Sequence, residues 1–197
     1  YHGTGGPVTV SKPPYDSELK SAVLEAAEEK GYRIGDINGP DAQVLIHNSK
    51  CFYDLQATIR DGQRCSAAKA YLAPNDHKEN LDIVSGAFVK KIIIDNSFAK
   101  GVVYDFEGKT RTVRAYKEVI LSAGTVNTAQ LLMLSGIGPR QELEKHHIRV
   151  KADLPVGKNM QDHWAAMLAF ELSDDITPIQ KKQVDESNIK QYISSKT

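Results

Sequence analysis

The chain has 197 residues, of which 41% are hydrophobic and 25% are charged. A chain of this length and composition can bury a substantial core, so we expect one globular domain or two small ones. The 25 Lys and Arg balance the 25 Asp and Glu, which gives a net charge of zero. This balance argues against a nucleic-acid partner and against binding to an anionic membrane.

The ends and apolar runs of the chain give no sign of a membrane segment or a leader. No run approaches the roughly 18–20 apolar residues that cross a bilayer. The first residues, YHGTGGP, lack the basic and apolar regions of a secretory signal and do not begin with Met, which predicts a mature or cut piece.

Two cysteines, Cys51 and Cys65, are too few for a disulfide scaffold and too far apart for a CxxC site. They are interpreted as two buried or half-buried thiols. A bridge between them is the alternative, and it would favour an oxidising compartment. The compartment is thus not fixed by the sequence, which favours a secreted, extracellular one.

The first half of the chain is loop-rich around one helix. The predicted elements are a short strand over residues 8–10, a helix capped by Asp16 or Ser17 and ended by Gly31, a strand over residues 52–59, and a short helix over residues 66–72 capped by Ser66.

The second half is strand-rich as far as Gly124 and then helical. The predicted strands cover residues 81–84, 88–95, 101–106, 109–115 and 118–122. The last of them is a continuous apolar run, which predicts a central strand buried on both faces. The predicted elements beyond it are an apolar helix capped by Asn127 or Thr128 and packed on all sides, a helix over residues 140–147, a strand over residues 148–150, and a polar end from Asp174.

Small residues mark the first candidate ligand site. Ser122, Ala123 and Gly124 stand between the predicted central strand and the apolar helix. Small side chains let a ligand approach the backbone, and a helix N-terminus offers N–H donors with partial positive charge. Strand-to-helix turns also use Ala-Gly for packing, so both interpretations stand. The glycines of residues 135–139 close one helix and start another, which predicts a tight turn rather than a phosphate loop.

Two longer motifs carry a family resemblance. Residues 122–139 read SAGTVNTAQLLMLSGIGP and residues 154–163 read LPVGKNMQDH. In this order they resemble consecutive signatures of the glucose-methanol-choline (GMC) oxidoreductases. Thr128-Ala129 departs from the Ser-Pro usual in the family; the change removes a helix-entry proline and keeps a capping hydroxyl.

Three upstream blocks extend the resemblance over nearly the whole chain. They are HGTGGPVTV at residues 2–10, GQRCSAA at residues 62–68 and NLDIVSGAFV at residues 80–89. The sequence is most similar to the arthropod branch, with its glucose dehydrogenase-like and cyanohydrin- or aryl-alcohol-oxidising members.

The resemblance implies an α/β fold in two parts. Residues 63–147 would form part of an FAD-binding, Rossmann-like domain with an antiparallel meander, and residues 1–62 and 148–197 would form part of a mixed-sheet substrate domain. The residues implied to bind FAD are Val89, through its backbone to the adenine, with Ser122, Ala123, Gly124, Asp162 and His163.

The family's catalytic groups do not fall within this sequence. Neither its Gly-x-Gly-x-x-Gly loop nor its C-terminal catalytic His has a counterpart, so the resemblance implies the middle of an enzyme, with no catalytic residue and no metal site of its own. The remaining N- and C-terminal segments of the same enzyme would be its partners, because an incomplete sheet exposes its edges.

Among the six histidines, only His2 and His163 fall inside family-like segments. His47 and His77 are predicted at the surface, and His146 and His147 at a helix C-terminus, where they would answer the helix dipole. Asp162-His163 has the residue types of acid/base chemistry, but neighbours on an extended chain point to opposite faces. A structural or flavin-proximal role is therefore predicted for this pair.

The implied reaction is oxidation of a small alcohol, or of a cyanohydrin, to a carbonyl compound. Hydride would pass to flavin N5, and oxygen or another electron acceptor would reoxidise the flavin. Two alternatives stay open: an FAD-containing hydroxynitrile lyase of the same fold, and a non-catalytic fragment.

Overall fold

The structure is a computed structural model that describes residues 2–13, 17–40, 51–75, 77–173 and 185–195. Asp16 as a candidate cap, His47 as a predicted surface residue and the start of the polar end lie outside the described residues. The chain divides into two compact units, Tyr1–Asp82 with Ala169–Thr197, and Ile83–Leu168. The sequence placed the divisions near residues 62 and 148, and the assignment of the parts to substrate and cofactor stays a prediction.

The fold is mixed α/β with small sheets. Its helices and strands are α1 (Glu18–Glu29), β1 (Arg33–Gly35), β2 (Cys51–Tyr53), β3 (Ile59–Arg60), β4 (Gln63–Arg64), a π-helix (Ala68–Leu72), a 3-10 turn (Ala73–Asn75), β5 (Phe88–Asp95), β6 (Phe98–Phe106), β7 (Lys109–Arg114), α2 (Thr125–Leu134), β8 (Ile137–Gly138), α3 (Arg140–Lys145), β9 (Ala152–Asp153) and α4 (Glu186–Ser195). Among the described residues, no helix has the length and apolarity needed to span a membrane.

The first unit confirms the predicted helix and its cap. The hydroxyl of Ser17 accepts a hydrogen bond from the backbone N–H of Lys20 at 3.0 Å, which satisfies one of the free donors at the start of α1. Gly31, with a φ of +79°, follows its end. Ser66 caps the next helix through the N–H of Lys69 at 3.2 Å, although this helix is a π-helix.

Two strand predictions in this unit were wrong. Residues 52–59 form the end of β2 and the start of β3, and the segment between them belongs to neither strand; within it, Asp54 pairs with Lys20 Nζ at 3.4 Å. Residues 8–10 form no strand; one bridge joins Ser11 to Ala57 instead. Both cysteines are free thiols, Cys51 half-buried and Cys65 buried, as the first interpretation predicted.

The second unit is built around an antiparallel meander in the order β5-β6-β7, as the sequence predicted. Helix α2 packs against β5. The predicted strand over residues 81–84 was wrong. Its apolar residues Ile83 and Val84 are exposed, because no described strand lies beside them to bury them.

One buried hydroxyl joins the helix to the sheet. Ser135, only 1% exposed, directly follows α2. Its Oγ accepts a hydrogen bond from the Ile92 N–H at 2.8 Å and donates one to the Leu131 carbonyl oxygen at 2.6 Å. Because Ile92 is itself buried in β5, this serine satisfies a strand donor that would otherwise be lost in the core.

The glycines after Ser135 form a tight connection between two helices, as predicted. The short strand β8 lies within this connection. Gly136 has a φ of +94°, and a Cβ there would lie 2.6 Å from the Arg149 carbonyl oxygen. At Gly138 a Cβ would lie 2.8 Å from Met133 Cγ. The absence of side chains lets β8 lie against α2 and pair in parallel with β9.

This pairing corrects the strand predicted over residues 148–150, since β9 lies three to four residues further along. The shift places the carboxylate of Asp153 at the start of α3, where Oδ1 accepts the Arg140 N–H at 3.0 Å. Helix α3 ends at Lys145, close to the predicted end. His146 caps it and pairs with Glu142 at 3.1 Å.

The prediction of a doubly buried central strand over residues 118–122 was wrong for the described structure. These residues are extended but pair with no described strand, and the side chain of Ile120 is 76% exposed. Helix α2 is likewise not packed on all sides, since Val126 is 72% exposed. It also starts earlier than predicted, at Thr125 with Gly124 as its cap residue. A central strand is buried only when strands flank it, and the described residues supply none.

The last described segments, residues 160–173 and 185–195, contain no strand. The first of them exposes Trp164, Met167 and Phe170. Within the predicted polar end, residues 186–195 form the amphipathic helix α4. An i,i+4 ion pair between Glu186 and Lys190 at 2.7 Å supports its first turns.

We expect Ser135→Ala to lower the free energy of unfolding by about 1–3 kcal/mol, because the buried N–H of Ile92 loses its acceptor. Thermal and urea unfolding followed by circular dichroism measure the change. Ser85→Ala is the matched control, since Ser85 is exposed in a turn. Equal stability of the two variants would contradict the role given to Ser135.

The two classes of glycine should respond differently to an added methyl group. Gly136→Ala is expected to cost about 1–3 kcal/mol more than Gly86→Ala, because overpacking adds to the positive-φ strain that both share. Gly86 has a φ of +73° but no atom within 4 Å of a built Cβ. The same unfolding experiments test this, and equal losses would show that φ alone decides.

Candidate functional site

The site begins at the turn before α2. Gly124 has a φ of +83° and a ψ of 168°, a conformation that residues with a Cβ rarely adopt. A Cβ built on it meets no atom within 4 Å, and Ser122, Ala123 and Gly124 are all exposed. The small residues therefore form a bare platform whose outer side no other part of the unit covers.

A cleft of about 820 Å³ opens on one side of this platform. Its lining includes three of the predicted cofactor residues, Val89 from β5 and Ser122 and Ala123 from the turn. The walls are mostly apolar and include Ile120 and Leu131, and the lining residues with polar side chains include Ser122, Lys90, Asn127 and Gln130. The structure thus brings together residues that lie 33 positions apart or more in the sequence.

A second groove, of about 1000 Å³, runs along another part of α2. Gly124 and Ser122 line it together with Val126 and Met133 from the helix. Its far wall comes from residues 155–160, the start of the second family-like motif. Because Ser122 lines both cavities, the platform separates two open apolar surfaces of the same unit.

Asp162 and His163 are not brought into either cavity among the described lining residues. Both are exposed, and Asp162 Oδ1 accepts the backbone N–H of His163 at 2.8 Å. The carboxylate is therefore used on its neighbour's main chain rather than on the imidazole. Their contact with FAD stays a prediction, and the geometry offers no acid/base pair.

A polar cluster in the first unit had no signal in the sequence, because its members are distant along the chain. Asp36 accepts hydrogen bonds from the Asn38 N–H at 2.9 Å and from Gln56 Nε2 at 2.8 Å, and its other oxygen lies 2.5 Å from His2 Nε2. The Asn38 backbone bond, followed by that of His2, holds the pKa of Asp36 below its usual value of 3.8. The cluster borders a pocket of about 450 Å³ lined by His2, Asn38 and Gln56.

The one lysine at the cleft is paired within the meander. Lys90 Nζ lies 3.2 Å from Asp105 Oδ2, and Asp105 Oδ1 accepts the Thr110 hydroxyl at 2.6 Å. The Thr110 hydrogen bond, with a smaller effect of Lys90, holds the pKa of Asp105 below 3.8. The carboxylate thus fixes the position of the lysine at the rim of the cleft.

The comparison with known families decides what this platform belongs to. The sequence model of the family described as GMC oxidoreductase matches residues 3–165, more than half of the chain. The chain belongs to the GMC oxidoreductase family. The resemblance on residues 122–139 and 154–163 is confirmed by this match.

Curated relatives agree with this membership. The chain is 40% identical over 185 residues to the glucose dehydrogenase [FAD, quinone] of Drosophila melanogaster, covering 91% of this chain and 28% of the relative. It is 37% identical over 179 residues to the oxygen-dependent choline dehydrogenase of Brucella anthropi, covering 90% and 31%. The chain therefore spans about a third of the length of these relatives.

Solved structures share the fold. An FAD-dependent oxidoreductase from Chaetomium thermophilum matches 78% of this chain and 26% of its own, with a TM-score of 0.67 and 30% identity. Pyridoxine 4-oxidase from Mesorbium loti matches 78% of this chain and 29% of its own, with a TM-score of 0.63 and 28% identity. Family and neighbours together indicate FAD as the cofactor.

The cleft fits such a group. A flat, apolar ring system needs apolar walls and a backbone that it can approach closely. The cleft offers apolar walls and the small Ala123, and the bare Gly124 follows Ala123 at the second groove. Asn127 and Gln130, one helical turn apart, add amide groups that can bind the polar parts of a nucleotide. Nothing in the described lining places a carboxylate inside the cleft, where it would repel a phosphate.

The Asp105 contact predicts a pH dependence of stability. Because its pKa is lower in the folded state, folding favours the carboxylate; this stabilisation is present above pH 3.8 and is lost as the pH falls through the folded-state pKa. The advantage of the unchanged chain over Asp105→Asn should therefore shrink between pH 6 and pH 3, measured as the difference in thermal midpoint. Asp95→Asn, at an exposed residue of β5, is the control. A difference that stays constant with pH would contradict the effect.

Proposed function

We propose that this chain is the central part of an FAD-dependent enzyme that oxidises a small alcohol to a carbonyl compound. The observation that carries the proposal is the cleft in which Val89 of β5 meets Ser122 and Ala123 beside α2, in a chain of the GMC family. FAD would supply the oxidising chemistry by taking the hydride from the carbinol carbon. The residues of this chain would bind and orient it.

Three of the predicted contact residues, Val89, Ser122 and Ala123, lie in the cleft, and Gly124 lies beside it at the second groove. Val89 lies in a strand at the wall, where its backbone can pair with the edge of a base. Ala123 and Gly124 would accept the flavin nucleotide against bare backbone, and Gly124 keeps its positive φ without side-chain contact. We further propose that Asp162 and His163, exposed at the end of the second motif, reach the cofactor when the enzyme is complete.

The exposed apolar surface supports a role for further segments of the same enzyme. Ile120, Val126 and Trp164 expose large apolar side chains in one compact unit. Large exposed apolar patches are typical of interaction sites. The relatives are about three times as long as this chain. We therefore propose that the corresponding N- and C-terminal segments of this enzyme cover the exposed apolar side chains and provide the catalytic base.

Substrate and acceptor follow from chemistry at the level of class. The names of the relatives specify glucose, choline, quinone and oxygen, so a small hydroxylated substrate and a quinone or oxygen acceptor are the proposal for this enzyme. We also propose an extracellular location, as the sequence favoured. Because Cys51 and Cys65 are free thiols, a disulfide bond between them does not support this location.

The test uses the longest enzyme that contains this sequence. Anaerobic mixing with a panel of small alcohols should bleach the visible absorption of the bound flavin, because hydride transfer from the alcohol reduces the flavin. Flavin that is bound but never bleaches, with cyanohydrin cleavage, would identify a lyase instead. Absence of any bound flavin would identify a non-catalytic protein and overturn the proposal.

A matched pair of variants tests the place of the flavin. Gly124→Ala should raise the FAD dissociation constant at least about tenfold, because its Cβ would enter the space in which the flavin nucleotide is proposed to lie. Gly108→Ala carries a similar positive-φ strain, with a φ of +72° in the turn between β6 and β7 and outside the cleft lining, and should leave FAD binding unchanged. Equal effects of the two variants would remove the platform from the binding site.

A further inference from the structure

Thr128 makes two contacts with the platform from within α2. Its Oγ1 accepts a hydrogen bond from the backbone N–H of Ala123 at 3.2 Å. Its own backbone N–H donates to the Gly124 carbonyl oxygen at 2.9 Å. One residue, half-buried in the second turn of the helix, therefore holds both peptide groups that flank the Ala123–Gly124 junction.

The usual side-chain cap is absent from the start of this helix. Gly124 occupies the cap position but has no side chain with which to accept an N–H, and the first turn of α2 contains no acidic residue. A glycine with a φ of +83° has many other conformations open to it. The bond from the Ala123 N–H to Thr128 is the described side-chain contact that restricts this freedom.

The contact also selects which backbone donors face outward. The Ala123 N–H points back to Thr128 and is already satisfied. The outer side of the turn thus presents the Ala123 methyl group and the bare Gly124, with no atom within 4 Å of the Cβ position. The shape of the platform therefore depends on a hydroxyl that does not itself lie on it.

We infer that Thr128 is a positioning residue for the flavin: its hydroxyl fixes the Ala123–Gly124 backbone in the conformation that accepts the cofactor. The inference rests on the proposed function, because it takes the platform as a flavin contact. The required group is a hydroxyl oxygen that accepts a hydrogen bond. Serine can therefore replace threonine at this position, whereas valine, an isostere of threonine without the hydroxyl, cannot. The family's usual serine at this position has the same acceptor.

The experiment compares FAD binding in the longest enzyme that contains this sequence, with Thr128→Val, Thr128→Ser and the unchanged residue. FAD dissociation constants come from flavin fluorescence during titration of the apoenzyme, and the visible circular dichroism of the bound flavin reports its surroundings. Thr112→Val is the matched control, since Thr112 lies exposed on β7. Thermal midpoints of the apoenzymes are measured alongside.

Thr128→Val should raise the dissociation constant about three- to tenfold, the range expected for one lost hydrogen bond, and change the flavin dichroism. Thr128→Ser and Thr112→Val should match the unchanged enzyme. If Thr128→Val does not fold, Thr128→Ala compared with Thr128→Ser decides by the same criterion.

Two results would count against the inference, and they are distinguishable. An enzyme that binds FAD equally well with valine, alanine or serine at position 128, whatever its thermal midpoint, shows Thr128 to be a helix-stabilising residue only. An unchanged enzyme that binds no FAD overturns the proposed function itself, and the positioning role falls with it.

Discussion

The buried hydroxyl of Ser135 sets the arrangement on which the candidate site depends. It ties β5 to the C-terminal end of α2 through the Ile92 N–H, while the platform stands at the opposite end of the same helix. Val89 lies on β5, three residues before Ile92. The two ends of the cleft are thus attached to one helix and one strand that pack against each other. The distance between Val89 and Ala123 is therefore determined by this packing rather than by a flexible loop.

The glycine turn after Ser135 brings the second motif back to the same helix. Gly136 and Gly138 permit β8 to pair with β9, and Asp153 at the end of β9 holds the N-terminal N–H of α3. Lys151 adds a bond from its ammonium group to the Ile94 carbonyl oxygen at 2.7 Å. Residues 155–160 consequently run beside α2, which explains why the two family motifs lie near each other although 14 residues separate them.

Local patterns predicted the elements whose contacts are local. The cap at Ser17, the meander and the helix-closing glycines follow from signals within a few residues, and the structure contains them. The failures concern elements that need distant partners. Residues 118–122 have the composition of a central strand, but burial requires neighbouring strands, and Ile120 is exposed because no described strand lies beside it. The Asp36 cluster has no signal in the sequence for the same reason, since His2 and Gln56 contact Asp36 only after folding.

The structure brings together part of the predicted site. Val89, Ser122 and Ala123 share one cleft, and their contact with FAD stays a prediction. The helix cap lies three or four residues before the predicted Asn127 or Thr128, because a glycine with positive φ gives no side-chain signal, while the hydroxyl of Thr128 acts from within the helix. Asp162 and His163 were named from the motif, and their exposure shows that a motif does not by itself specify an environment.

The unpaired extended segment before Gly124 also bears on the order of assembly. The meander joins strands adjacent in sequence, so its contacts require the closure of short loops only and can form early. Residues 118–122 instead pair with no described strand and have no such local partner. We therefore expect the meander to fold first and residues 118–124 to become ordered last in this unit.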